Sequence, residues 1–162
     1  CNTRHSWTSS GRHESVAEHS WRVALMALLM RDEFPELDMD KVIRMCLIHD
    51  LGEAFTGDIP AFDKKEEDSQ KEDEVFFNWV STFPEPYRIE LKTGEPKLYK
   101  ALDNLEAVIQ HNEADISTWI PLEYDLQFTY GADKVQFSPY LKELKQELDN
   151  RNTKKIAEAQ KV

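Results

Sequence analysis

The run Met45-Cys-Leu-Ile-His-Asp-Leu-Gly-Glu53 sets an imidazole and a carboxylate side by side, His49 and Asp50, directly after a stretch of apolar residues. That adjacency constrains the fold more than any other feature of the chain. A polar group desolvated at a core edge without a partner costs on the order of several kcal/mol, so the fold must bring other groups to this pair. Neutral imidazole nitrogen and hard carboxylate oxygen form a ligand set suited to a divalent transition metal. A lone His-Asp dipeptide is more often explained by backbone hydrogen bonds or an Arg. The surrounding sequence has to shift that balance.

The surroundings read as helices. Ser15 to about Met30 carries apolar residues at helical spacing, with Ser15 and Glu18 in the positions of a capping box. Phe34-Pro35 ends it. A second helix starts near Asp38 or Asp40, runs through Val42, Met45 and Ile48, and reaches about Phe55. Thr56-Gly-Asp-Ile-Pro60 reads as a turn and an extended segment. The mixed-charge run 63–74 reads as a solvated loop and helix start, and Val75 to Phe83 completes that helix. A short helix over Pro86 to Lys92 is predicted, then a long one from Pro96 to about Ala114 with Leu98, Leu102, Leu105 and Ile109 as its apolar stripe. Trp119 to Tyr130 looks irregular, and Ser138-Pro139 opens a last helix that the tail extends. The expectation is one all-α domain over 1–162, with a core at about 12–115 and a C-terminal helix at about 138–160.

Charge and cysteine usage narrow the partners. A net charge of −11 argues against a nucleic-acid polymer, whose binding is dominated by phosphate neutralisation. No apolar run approaches the roughly 20 residues that cross a bilayer, and no signal-peptide pattern is visible, so no membrane partner is expected. Cys1 and Cys46 are the two cysteines, one at the terminus and one in an apolar helical run. A disulfide framework is not expected, which fits a cytoplasmic location. Phe76, Phe77, Trp79 and the last helix imply an apolar surface that suggests a homodimer contact.

Three predicted helices each offer an unusual polar residue where packing favours an apolar one: His19, the His49-Asp50 pair, and Asp103 within Leu102-Asp-Asn-Leu105. Taken singly, each is more often structural. Together they supply two imidazoles and two carboxylates, the ligand count for one divalent metal with positions left for water and substrate. Glu53 lies three residues after Asp50 and four after His49, so a continuing helix keeps it on their face. It is the candidate for orienting the attacking water or shuttling its proton.

Glu14-Ser-Val-Ala-Glu-His-Ser20, His49-Asp-Leu-Gly-Glu-Ala-Phe-Thr-Gly-Asp58 and Ala101-Leu-Asp-Asn-Leu-Glu106 resemble the HD superfamily of metal-dependent phosphohydrolases, in its 5'-deoxynucleotidase branch. Asn104 stands where that branch often has Lys. The resemblance implies a single compact HD-domain helical bundle, with His19, His49, Asp50 and Asp103 as metal ligands. It also implies that Asp58 handles the leaving sugar oxygen or a substrate hydroxyl, and that Arg4 and Trp7 lie against the nucleotide. Arg12 and Lys64 are further candidates for phosphate contact, although each also fits a solvent-exposed charge. Binuclear relatives carry extra histidines between the HD pair and the last Asp. The histidines here are His5, His13, His19, His49 and His111, so one metal is expected, its identity open among Co, Mn, Fe, Zn, Ni and Mg.

The implied function is divalent-metal-dependent hydrolysis of (deoxy)nucleoside 5'-monophosphates to nucleoside and phosphate. The alternatives are another HD phosphohydrolase acting on a nucleoside triphosphate or other small phosphate ester, a non-catalytic nucleotide sensor, and a metal-stabilised scaffold.

Overall fold

Ser15 turns extended chain into helix for a local reason. Its hydroxyl accepts from the Glu18 backbone N–H at 3.2 Å, while the Glu18 carboxylate accepts from the Ser15 N–H at 2.9 Å. Two otherwise orphaned donors are satisfied at once, and helix α1 follows over Val16–Leu29. The structure is a computed structural model that describes residues 3–60, 63–85 and 96–160. It divides by internal contacts into two compact units.

The first unit comprises Cys1–His5 and Glu14–Tyr99. Helix α1 buries Val16, His19, Val23, Ala24 and Ala27, a stripe at the helical period. It packs against α2, Met39–Ile48, which Asp38 caps by accepting from the Lys41 N–H at 3.1 Å. Helix α2 buries Met39, Val42 and Cys46. The sequence predicts that α2 continues to about Phe55, and the structure corrects this. Beyond Ile48 the backbone tightens, with Leu51 N–H on the Ile48 carbonyl and Glu53 N–H on the Asp50 carbonyl, the spacing of a 3₁₀ turn. Gly52, a poor helix former, lies at the break, and a short helix α3 restarts over Glu53–Thr56. Helix α4, Glu66–Val80, begins inside the charged run as expected. The predicted helix over 86–92 lies outside the described residues.

The second unit comprises Ser6–His13 and Lys100–Val162. Helix α5, Pro96–Glu113, begins in the first unit and contributes Ala101, Leu102, Leu105 and Val108 to the buried residues of the second. Trp119 to Tyr130, expected to be irregular, contains helix α6 over Glu123–Thr129. Its start is fixed by Glu123, which accepts from the Ile120 N–H and meets His111 Nε2, both at 2.8 Å. Its end is fixed by buried Lys145 of α7, Pro139–Ala159, whose ammonium donates to the carbonyls of Gln127 and Phe128 at 3.1 Å. A cation on the last carbonyls of a helix both caps them and suits the dipole. The His111 and Lys145 contacts join residues 12 to 18 apart in sequence, which is why local patterning missed α6.

The all-helical expectation also omits a hairpin. Strand β1, Thr3–Trp7, pairs with β2, His13–Ser15. Thr8 N–H donates to the Arg12 carbonyl at 2.7 Å and Gly11 N–H to the Thr8 carbonyl at 3.0 Å. Gly11 has φ 78°, the left-handed residue that closes a three-residue hairpin loop.

Gly131 also has φ 72°, and a Cβ there would sit 2.8 Å from Asn104 Cβ. Gly131→Ala is therefore expected to destabilise the protein by about 2–4 kcal/mol through left-handed strain plus overlap. Urea denaturation measures it; a variant as stable as its parent would show that the loop yields freely.

Candidate metal centre

Three donor groups converge within the first unit. His19 of α1 is fully buried, and His49 and Asp50 follow the last turn of α2. The Nε2 atoms of His19 and His49 lie 3.4 and 3.3 Å from the same oxygen, Asp50 Oδ2, with the ring centroids 5.4 Å apart.

The orientation of His49 has a local cause. Its Nδ1 lies 2.8 Å from the Cys46 carbonyl, at the helix end where carbonyls lack intrahelical partners. A carbonyl can only accept, so Nδ1 carries the proton and Nε2 keeps its lone pair. A lone pair and a carboxylate oxygen 3.3 Å apart repel unless positive charge is shared between them. Two imidazoles and a carboxylate aimed at one point are the donor chemistry of a divalent transition metal. The residues present fit such an ion.

Glu53 opens α3 and is 7% exposed. Burial, then the charges of Asp50 and Asp58, push its carboxyl up to about 8, against the smaller opposing pull of Arg4 and Lys64. Lys64 Nζ is 4.0 Å from Glu53 Oε1. Asp58 behaves oppositely. Burial acts to raise its pKa, but its contacts with His5 and the charge of Arg4 outweigh burial and hold the carboxyl below the ordinary carboxylate value. The same neighbourhood thus keeps one carboxyl protonated and another ionised, the division that acid–base chemistry at neutral pH requires.

Arg4, on β1, reaches Glu14 with Nη1 3.4 Å from Oε2, and Glu14 is almost wholly buried. The remaining sequence candidates belong to the second unit. Trp7 tilts against the His13 ring at 4.2 Å, and its carbonyl accepts from the Gln110 amide at 2.8 Å. Arg12 is exposed and donates to the His13 carbonyl at 3.2 Å. Asp103 is half-buried on α5.

Sequence reasoning missed four contributors in the first unit: His5 against Asp58, Glu14 against Arg4, the Cys46 carbonyl that orients His49, and Tyr99, whose ring lies 5.9 Å from that of His49. An i to i+3 relation at a helix end could have suggested Cys46. The others depend on chain pairings that no local pattern reveals.

The HD-domain family model matches residues 2–145, a span that contains every one of these groups. The chain belongs to the HD-domain family. It is 32% identical to the human (Homo sapiens) 5'-deoxynucleotidase HDDC2 over 161 residues, which cover 91% of this chain and 77% of that protein. Similarity to the Dictyostelium discoideum 5'-deoxynucleotidase HDDC2 is 32% identity over 130 residues, 68% of each chain. The fold of this HD-domain chain is shared with the crystal structure of a protein described as a predicted metal-dependent phosphohydrolase from Magnetospirillum magnetotacticum MS-1. The TM-score is 0.76 at 23% identity, over 95% of this chain and 85% of that one. No helix among the described residues is long and apolar enough to cross a membrane.

Proposed function

We propose that the protein is a divalent-metal-dependent phosphomonoesterase that hydrolyses (deoxy)nucleoside 5'-monophosphates to nucleoside and phosphate. The observation that carries this reading is the convergence of His19 Nε2 and His49 Nε2 on Asp50 Oδ2, with the His49 tautomer fixed by Cys46. The naming of the relatives as 5'-deoxynucleotidases supports the substrate class. His19, His49 and Asp50 would hold the ion, and Asp103, from the Leu102-Asp-Asn-Leu105 motif, is proposed as the fourth ligand. When bound, a divalent ion supplies positive charge that polarises a phosphoryl oxygen and eases deprotonation of water.

The chain's own residues supply the rest. Charge neutralised at Asp50 relieves part of the repulsion felt by Glu53, leaving burial to hold its carboxyl above the ordinary range. With that repulsion relieved Glu53 ionises more readily, and in its ionised form it takes the proton of the attacking water and can return it to the departing sugar oxygen. Asp58, kept ionised, accepts a hydrogen bond from a substrate hydroxyl. Arg4 offers a planar fork of donors to phosphate, with Lys64 and Arg12 adding positive charge, and the Trp7 indole suits sugar or base stacking.

Elemental analysis of the purified protein, combined with phosphate release from a panel of deoxynucleoside mono- and triphosphates, tests the reading. The expected result is about one divalent ion per chain and orthophosphate from monophosphates. Equal turnover of triphosphates, or a product other than orthophosphate, would overturn it.

The proposal extends to organisation and place. The family match running from residue 2 to 145 supports a single functional domain, and the buried free thiol of Cys46 supports a reducing cytoplasm. Trp21, Leu25 and Leu28, exposed at helical spacing on α1, together with exposed Phe77 on α4, support a homodimer. Sedimentation equilibrium showing a monomer at micromolar concentration would remove the dimer.

A further inference from the structure

Asp58 is gripped at one end. The main-chain N–H of His5 donates to Oδ2 at 3.1 Å, and the His5 imidazole Nδ1 stands 3.6 Å from the same oxygen. The second distance is too long for a hydrogen bond, so the ring acts through its dipole and its bulk. The Asp58 side chain is only 5% exposed and that of His5 28%, so the ring shields Oδ2 from water. Asp58 makes no other hydrogen bond among the described residues. Oδ1 is therefore the oxygen left to meet a ligand.

We propose that His5 is a positioning residue, which holds Asp58 by Oδ2 so that Oδ1 is presented to one hydroxyl of the substrate's sugar. This rests on the nucleotide monophosphate reading above. The strand makes the device local. Arg4 and His5 are neighbours on β1, and successive strand residues point to opposite faces. One turns to Glu14 and the other to Asp58. A carboxylate held through one oxygen cannot swing to offer either, so its acceptor geometry is set before substrate arrives. That is preorganisation, which lowers the ordering cost at the reacting complex. The downward shift of the Asp58 pKa agrees with a carboxylate kept ionised to accept a hydrogen bond.

The test uses the metal-loaded full chain and two substrates that differ by one group, a 2'-deoxynucleoside 5'-monophosphate and its 2',3'-dideoxy counterpart. His5→Ala keeps the main-chain donor but removes the ring, and is expected to lower kcat/KM for the deoxynucleotide by about five- to tenfold. For the dideoxy substrate, which lacks the hydroxyl, the loss should stay under about twofold. His5→Asn, whose side-chain N–H occupies the place of Nδ1, should recover most of the difference. Combining His5→Ala with Asp58→Asn should cost no more than Asp58→Asn alone, because both act on one contact. Equal losses on the two substrates, or losses that multiply in the double variant, overturn the proposal and leave the activity reading standing. A wild-type protein that releases phosphate from p-nitrophenyl phosphate but from neither nucleotide overturns the nucleotide reading, and the role of His5 falls with it.

Discussion

Asp50→Asn is expected to empty the metal centre and to lower kcat/KM on a deoxynucleoside monophosphate by about a thousandfold or more, the loss of several kcal/mol of charge stabilisation. Asp50 turns one carboxylate oxygen to both imidazoles, at 3.4 and 3.3 Å. The amide keeps the shape but loses the negative charge, and one of its two ends presents N–H donors where a cation would have to sit. Even residues that only orient a ligand typically cost about 10- to 100-fold in metal affinity when changed, so a ligand itself should cost more. Asp40→Asn provides the control, since Asp40 is exposed on α2 and pairs with Arg31 at 3.6 Å, and its loss should leave metal content and rate unchanged. The substitution carries a second signature. Asp50 is one of the charges that push the Glu53 carboxyl up, so Asp50→Asn should lower the Glu53 pKa in metal-free protein, measurable by carboxyl NMR titration. Full metal occupancy with activity within about tenfold of wild type would exclude Asp50 as a ligand.

What the sequence disclosed and what it hid divide by the range of the interactions. Ser15 with Glu18, Asp38 before α2 and Ser138-Pro139 before α7 were legible because a cap is complete within about one turn. His19, His49 and Asp50 were legible by type and spacing, since few other roles bring two imidazoles and a carboxylate to apolar helices. The end of α2 was misjudged because the residues after Ile48 are compatible with helix, and only the break at Gly52 tips the chain into 3₁₀ turns. The break leaves Glu53 buried and within the field of Asp50, on a short helix of its own and not on a continuation of α2. The hairpin was hidden for another reason. Its strands are five and three residues long, and most of what pairs them is main chain, which carries no side-chain signature. With it were hidden the Arg4–Glu14 and His5–Asp58 contacts, both of which depend on β1. Helix α6 was missed because His111 and Lys145 meet its two ends from elsewhere in the chain.

Glu53→Gln separates catalysis from sensing, and it also tests the electrostatics of the site. Loss of a positioned proton acceptor should lower kcat by about 100- to 10,000-fold, while the neutral amide, close in shape to the protonated acid, should still bind nucleotide. Binding by wild type without turnover under any metal would instead favour a sensor. In metal-free protein the same substitution has a predictable effect on stability. The Glu53 carboxyl titrates near 8 in the folded chain, against an ordinary value of 4.5. Between those values the folded state holds a proton that the unfolded state has released, so stability falls as pH rises. The contribution is fully present below the unfolded value and is lost as pH passes the folded one. The slope can reach about 1.4 kcal/mol per pH unit. Asp58, shifted downward, has the opposite sign and acts on the acid side, where stability is lost as pH falls through its folded value, so it does not mask this window. Urea midpoints across roughly pH 5 to 9 with chelator present should therefore converge at the acid end and separate toward the alkaline end, with Glu53→Gln the more stable there. Adding a divalent ion should narrow the separation, because charge shared at Asp50 removes one of the repulsions that hold the proton on Glu53. Parallel midpoints for the two proteins at every pH would mean that Glu53 titrates like a surface carboxyl, and its candidacy as the proton-handling residue would go with the shift.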